Sequence, residues 1–127
     1  MPVMEVEMLQ PGDAVLLRAF IGDDDSYYDA EGGKPLSEAI VREARLRGLA
    51  GATALRGLLG YGNSSIIHSR GRLFSEDLPV VIEIVDSQDK IADFMPVLER
   101  MMQGGLITTQ AVKVVRSLQK TVRPERA

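Results

Sequence analysis

Four segments of the chain carry the apolar and β-branched residues that are typical of β-strands. The pattern is clearest in the third segment, where Val80, Ile82 and Ile84 would face one way and Glu83 would face the other. Glycines and polar residues bound the segments, as they do strands in general. The predicted strands are residues 14–22, 51–60, 79–86 and 107–117.

Two further segments repeat their apolar residues at the spacing of an α-helix. In residues 35–48, Leu36, Ile40 and Ala44 form one stripe, and Gly48 is suited to the helix C-terminus. The stripe of residues 87–102 is more regular, and Asp86 or Ser87 can cap its first turn. Pro96 lies inside this second helix, and we expect it to bend the helix without ending it.

The resulting order β-α-β-β-α-β predicts an α+β fold of the ferredoxin-like class. Right-handed crossovers place both helices on one face of a four-stranded antiparallel sheet. With 127 residues the chain is expected to form a single domain. Its ordered core is predicted at about residues 14–116, followed by a basic C-terminal tail at residues 117–127.

The helix-free face of this sheet predicts self-association. We expect Arg18, Arg56, Glu83 and Lys113 to project from it, one from each strand. Apolar residues alternate with them, and a surface this apolar is rarely left to water. A symmetric oligomer would cover it while pairing the charges, whereas the alternative is a half-solvated sheet in a monomer. The apolar residues are Leu16, Phe20, Leu58, Val81, Val85 and Val115.

Composition and charge narrow the classes of function. The chain has no cysteine, which excludes disulfides and thiolate metal sites and fits a cytoplasmic protein. Its N-terminal residues carry acids where a signal peptide needs cations, and no apolar run is long enough to span a membrane. A net charge of -3 argues against nucleic acid as a partner.

The segment between the second and third strands is the main candidate for function. Residues 61–78 far exceed the length of a hairpin loop, and such loops are usually functional or disordered. Its glycines let backbone approach a ligand, and Asn63, Ser64 and Ser65 offer polar groups. His68, the single histidine, is either a surface residue or a ligand contact. Arg70 and Arg72 either grip an anionic group or are solvated loop charges.

Other charged residues provide weaker candidates. Lys90 lies in the first turn of the second helix, where the free backbone N–H groups can also hold an anion. The acidic segment 23–31 suggests a magnesium or calcium site, but its spacing does not match an EF-hand. A solvated acidic loop is the simpler interpretation. No catalytic constellation is visible, so we expect no enzymatic activity.

Two long motifs carry a resemblance to a known family. The segment "GKPLSEAIVREARLRGLAGATALRGLLGYG" and the later "SEDLPVVIEIVDS" resemble the domain-of-unknown-function 190 family. That family is similar in turn to the PII signal-transduction proteins, and the resemblance covers roughly residues 16–116. It implies a trimer that binds an adenine nucleotide, such as ATP, ADP or AMP, between subunits. The loop at residues 61–78 would then report the bound state to a partner.

The resemblance also implies where the ligand and the partner would bind. A membrane transporter of the fluoride-exporter type is the partner that it suggests. Two alternatives remain: a protein-interaction module without a small ligand, and a divalent-metal-binding trimer of the copper-tolerance type. The candidate ligand-binding residues are Gly60, Gly62, Asn63, Ser64, Ser65, His68, Arg70, Lys90 and Arg116.

Overall fold

A computed structural model describes residues 9–62 and 77–118 of the chain. These residues form six strands and two helices. In chain order they are β1 (Gly12–Gly22), β2 (Ser26–Asp29), β3 (Gly32–Pro35), α1 (Leu36–Leu46), β4 (Thr53–Arg56), β5 (Pro79–Asp86), α2 (Gln88–Met101) and β6 (Leu106–Val114).

The main sheet has four strands in the order β4-β5-β1-β6, and every neighbouring pair is antiparallel. Both helices pack on one of its faces. The predicted α+β fold with a four-stranded antiparallel sheet and two helices is therefore confirmed. Because β5 lies between β4 and β1, each helix connects two parallel strands that have a third strand between them.

The core lies between the sheet and the two helices as one cluster of buried residues. Alternate residues of β1 and β5 enter it, as the strand pattern predicted. Burial of one large aliphatic or aromatic side chain contributes roughly 1.5–3 kcal/mol, so this cluster dominates the stability of the fold. Its largest fully buried side chains are Leu17, Ile40, Ile82, Ile84, Phe94 and Leu98.

The first helix ends in a Schellman motif. The N–H of Leu49 donates to the carbonyl of Ala44 at 3.1 Å, and the N–H of Gly48 donates to that of Arg45 at 3.1 Å. Gly48 has a φ of 78°, a conformation that a side chain would strain. Leu49 is buried, which gives the motif its usual apolar contact.

The second helix begins at a serine cap and continues through its proline. Ser87 Oγ accepts a hydrogen bond from the N–H of Lys90 at 3.3 Å, so Ser87 is the N-cap. Pro96 lies inside the helix, which runs on to Met101 as expected. Two buried residues after the proline, Val97 and Leu98, keep this part of the helix packed on the sheet.

The acidic segment after β1 belongs to a hairpin and is not the solvated loop that its composition favoured. Strands β2 and β3 pair in an antiparallel two-stranded sheet. Tyr27 packs partly buried against the core, and Lys34 Nζ lies 3.1 Å from Asp29 Oδ2 across the hairpin. Strands of only four residues, SYYD and GGKP, are too short to give an alternating signal, so only these pairings reveal them.

The strand register corrects the predicted helix-free face. Arg18 pairs with Glu83 on that face, as expected. Arg56 instead pairs with the buried Val80, so it lies on the helix-covered face. Lys113 pairs with Asp13, which shares a face of β1 with the buried Leu17, so Lys113 also lies on the helix-covered side. The prediction was wrong for Arg56 and Lys113, because a register shift of one residue moves a side chain to the opposite face.

The second predicted strand is also shorter than expected. It covers Thr53–Arg56 instead of residues 51–60, and Leu58 therefore lies beyond the strand. Val115 likewise follows the end of β6. Across residues 9–62 and 77–118, neither helix has the length and apolar character that would let it cross a membrane.

Candidate functional site

A pocket of about 190 Å³ lies at the root of the long loop. We call it the loop-root pocket. It forms where β1 ends and where β5 and β6 begin. These three strand ends meet because both β5 and β6 run antiparallel to β1. The described residues that line it are Phe20, Ile21, Tyr61, Gly62, Pro79, Gly105 and Leu106.

The strand register explains how the lining residues come together. Phe20 is paired with Val81 on one side and with Leu106 on the other. Gly22 is paired with Pro79, so the start of β5 lies beside the end of β1. Tyr61 and Gly62 enter from the loop itself, and the Tyr61 side chain is 76% exposed. The loop thus supplies an aromatic wall to a pocket whose floor is built on strands.

Gly105 is a member of this site that the sequence analysis missed. Its φ is +109°, and a Cβ at this position would collide with the backbone carbonyl oxygen of Phe20. The chain can therefore turn from α2 into β6 this close to β1 only with glycine here. The signal in the sequence is the double glycine Gly104–Gly105 directly before a strand, since glycine there permits close backbone approach.

The loop-root pocket contains no charged side chain among its described lining residues. Its walls are aromatic and aliphatic groups, a proline ring and glycine backbone. Such a surface suits a flat, weakly polar group, which can stack on an aromatic ring and bond to backbone groups. It does not by itself neutralise a phosphate or another anion.

An acidic turn between β1 and β2 holds both ends of the long loop. On the outgoing side, Arg56 Nη2 lies 2.9 Å from Asp23 Oδ1. On the returning side, the N–H of Asp23 donates to the carbonyl of Leu78 at 2.8 Å, and that of Asp24 donates to Asp77 Oδ1 at 3.1 Å. The acidic segment therefore has a structural role at the loop, which its composition did not indicate.

The two loop ends also bond to each other. The N–H of Gly57 donates to the carbonyl of Pro79 at 2.6 Å, one residue beyond the end of β4. Together with the acidic turn, this contact sets the distance between the chain entering the loop and the chain leaving it. The loop ends are thereby connected to the end of β1 and to the start of the β2–β3 hairpin.

The predicted ligand-binding residues fall into two separate groups. Gly60 and Gly62 lie at the loop root, and Gly62 lines the pocket. Lys90 and Arg116 lie beyond the far ends of β5 and β6. At about 3.3 Å per residue, β5 alone separates the two groups by about 23 Å. The remaining candidates, Asn63, Ser64, Ser65, His68, Arg70 and Arg72, lie outside the described residues.

Lys90 has a structural partner at its end of the sheet. Its Nζ donates to the carbonyl of Gly48 at 3.0 Å and so joins the end of α1 to the start of α2. Beside it, the buried Asp86 accepts hydrogen bonds from the N–H of Ala50 at 2.8 Å and of Ser87 at 2.7 Å. Arg116 is exposed just after β6.

The helix-free face of the sheet combines an ion pair with apolar residues. Arg18 Nε lies 2.9 Å from Glu83 Oε2 at its centre, and Arg18 Nη1 lies 3.4 Å from Gln110 Oε1. Neither α1 nor α2 covers this face, and within residues 9–62 and 77–118 many of its apolar side chains keep partial exposure. These residues are Leu16, Phe20, Leu55, Val81, Val85, Leu106, Val112 and Val114.

One ionisable group of the hairpin is perturbed. The hydrogen bond from Lys34, helped by the backbone N–H of Glu31, lowers the pKa of the exposed Asp29 carboxyl below its ordinary value of 3.8. This shift reports the pairing across β2 and β3. Within the described parts of the chain, no group of three or more histidine, aspartate or glutamate side chains is arranged to hold a metal ion.

Comparison with known proteins gives a consistent family. A family model described as "Uncharacterized ACR, COG1993", the domain of unknown function 190, matches residues 14–114. A UPF0166 protein of Aquifex aeolicus is 38% identical over 102 residues, covering 79% of this chain and 91% of the relative. One from Methanocaldococcus jannaschii is 30% identical over 95 residues, covering 74% and 84%.

Proposed function

The chain belongs to the domain-of-unknown-function 190 family, and we propose that it is a regulatory protein that binds a small metabolite between identical subunits. In this proposal three copies form a PII-like trimer of ferredoxin-like protomers. The metabolite is an adenine nucleotide. The loop at residues 61–78 changes its conformation with the bound nucleotide and signals to a protein partner.

The observation that carries this proposal is the separation of the two halves of a nucleotide site. A nucleotide needs a weakly polar surface for its base and cations for its phosphates. The loop-root pocket supplies only the first, while Lys90 and Arg116 lie about 23 Å away in the same chain. A neighbouring copy could bring its Arg116 end to the pocket, so the site would be complete only in an oligomer.

The helix-free sheet face supports self-association. It carries eight partly exposed apolar side chains around the Arg18–Glu83 ion pair. Its residues can meet the same residues of other copies around a symmetry axis, which is the usual geometry of homo-oligomers. The ion pair is already satisfied within one chain, so burying it between copies would not leave an unpaired charge.

Signalling follows from the position of the pocket between the two ends of the loop. Tyr61 and Gly62 belong to the loop and also line the pocket. A ligand that binds one loop conformation better than another will shift the loop toward that conformation. We propose a membrane transporter of the fluoride-exporter type as the partner that senses this change, and no enzymatic step is required.

Calorimetric titration with ATP, ADP, AMP and cyclic nucleotides tests the ligand. We expect saturable heat with at least one of them, and a Tyr61→Ala variant should weaken binding because base stacking contributes roughly 1–3 kcal/mol. The Arg116→Gln change should weaken the binding of nucleotides more than the binding of adenosine. Absence of heat from every nucleotide would overturn the nucleotide proposal.

Sedimentation equilibrium tests the assembly separately. We expect a species of three times the 13.9 kDa chain mass. Leu16→Lys and Val85→Lys changes together, in the centre of the helix-free face, should release monomers that keep their helical circular dichroism. A wild-type chain that sediments as one 13.9 kDa species would contradict the trimer and the intersubunit site together.

A second candidate function is a protein-interaction module without a small ligand. Exposed apolar side chains at the loop root favour it, since Leu58 is 94% exposed and Leu59 is 57% exposed. It predicts that changing Arg70 and Arg72 together weakens capture of the partner to the same extent with and without nucleotide. A nucleotide-dependent loss would instead favour the sensor. The other alternative, a divalent-metal-binding trimer of the copper-tolerance type, is tested by equilibrium dialysis with Cu²⁺ or Zn²⁺.

A further inference from the structure

A second pocket, of about 270 Å³, lies at the junction of the two helices. We call it the helix-junction pocket. It is distinct from the loop-root pocket, because it is found where β5 has ended and α2 begins, at the opposite end of the sheet. Of the residues that line it, the proposed nucleotide site uses Lys90 alone. Its lining residues are Arg47, Leu49, Lys90, Asp93 and Phe94.

The walls of this pocket are already held in place in the free chain. The Schellman motif at Gly48 fixes Leu49, and Lys90 Nζ is bonded to the Gly48 carbonyl at 3.0 Å. The buried Asp86 carboxylate holds the N–H of Ala50 on one side and that of Ser87 on the other. A ligand would therefore find a preformed site and lose little free energy in ordering it.

The lining combines apolar side chains with cations and one carboxylate. Leu49 and Phe94 supply an apolar floor. Two cations lie at the rim. Lys90 keeps two further N–H protons beyond its bond to Gly48. Among the described residues, Arg47 is bonded only through Nε, to Glu43 at 2.7 Å. The rim also carries one carboxylate, Asp93, which makes no ion pair or hydrogen bond within residues 9–62 and 77–118.

We propose that the helix-junction pocket binds a free α-amino acid with an apolar side chain. The carboxylate of the amino acid would meet Lys90 and Arg47, its ammonium group would meet Asp93, and its side chain would lie on Leu49 and Phe94. The volume suits such a ligand, since pockets for drug-sized molecules start near 300 Å³. This proposal depends on neither the trimer nor the nucleotide.

Amide chemical shifts of the full chain during titration with leucine test the proposal directly. Saturable shifts are expected at Leu49, Lys90 and Asp93, with Tyr61 and Gly62 unchanged. Isovaleric acid lacks the ammonium group and isopentylamine lacks the carboxylate. Each should bind with a dissociation constant about three- to five-fold higher than that of leucine, because each lacks one partly exposed ion pair.

A matched pair of variants separates a specific site from general charge effects. Asp93→Asn should remove the preference for leucine over isovaleric acid, whereas Asp89→Asn on the same helix, outside the lining, should preserve it. Absence of saturable shifts at millimolar leucine would overturn the proposal. So would shifts confined to the loop root, or equal effects of the two variants. Nucleotide binding is measured separately by calorimetry, because Lys90 also belongs to the proposed nucleotide site.

Discussion

The two ends of the main sheet are built on different physical principles. At the loop-root end, strand ends, glycines and an acidic turn surround an uncharged pocket that opens beside the long loop. At the helix-junction end, charged side chains are bonded to backbone groups and join α1 to α2. The first arrangement leaves an uncharged surface beside the loop, whereas in the second the bonded charges join the two helices around a preformed pocket.

This difference changes the meaning of the same residue types at the two ends. Glycine at the loop-root end permits close backbone approach, as Gly105 does against Phe20. Glycine at the helix junction ends a helix, as Gly48 does. Charged residues at the junction stabilise the fold, so Lys90 cannot be assigned to a ligand from its charge alone. Each prediction below tests one side of the comparison.

The largest effect is expected from Gly105→Val. The new side chain would meet the Phe20 carbonyl, and the backbone conformation disfavours any side chain. Urea denaturation should show a loss of about 3 kcal/mol in the free energy of unfolding. Gly51→Ala is the matched control, because no atom lies within 4 Å of its Cβ position; it should change stability by less than about 0.5 kcal/mol.

Asp86→Ala should give the largest effect at the helix junction. It leaves the N–H groups of Ala50 and Ser87 without their acceptor in a buried position. Thermal and urea unfolding should show a loss of about 2 kcal/mol. The exposed Asp89→Asn change serves as control and should be nearly neutral. A neutral Asp86→Ala variant would contradict the description of this end as a joint that depends on its charges.

Arg56→Gln should have a small effect on stability and a larger local one. The Arg56–Asp23 pair is partly exposed, so its loss should cost less than about 1 kcal/mol. Hydrogen exchange should nevertheless become faster at the amides of Asp23 and Gly57, which hold the loop ends. Arg42→Gln, which removes an exposed helix pair with Glu38, should leave those amides unchanged.

The smallest effect concerns the hairpin. Lys34 lowers the pKa of Asp29 in the folded chain. Their pairing therefore stabilises the fold when the pH is above 3.8, the ordinary pKa of aspartate, and this stabilisation is lost as the pH falls through the folded-state pKa. Lys34→Met should therefore raise the pKa of Asp29 in an NMR titration. Lys113→Met on β6 is the control, and an equal shift there would indicate a general charge effect.

Local patterns were enough to predict most of the helices and strands. Residues close together in the chain determine the apolar stripes of α1 and α2, the alternation in β5 and the serine cap of α2. The β2–β3 hairpin escaped prediction because each of its strands has only four residues and β3 begins with two glycines. Their identity depends on pairing with each other and on Tyr27 reaching the core.

The sequence by itself determined the family, the order of the main elements and the position of a long loop between two strands. Only the tertiary structure decided which residues share a face or an end of the sheet. It placed Arg56 and Lys113 off the helix-free face, and it placed Gly105 and Gly62 at one pocket, far from Lys90. The physical reason is that register and strand order arise from contacts between residues far apart in the chain, which no local pattern encodes.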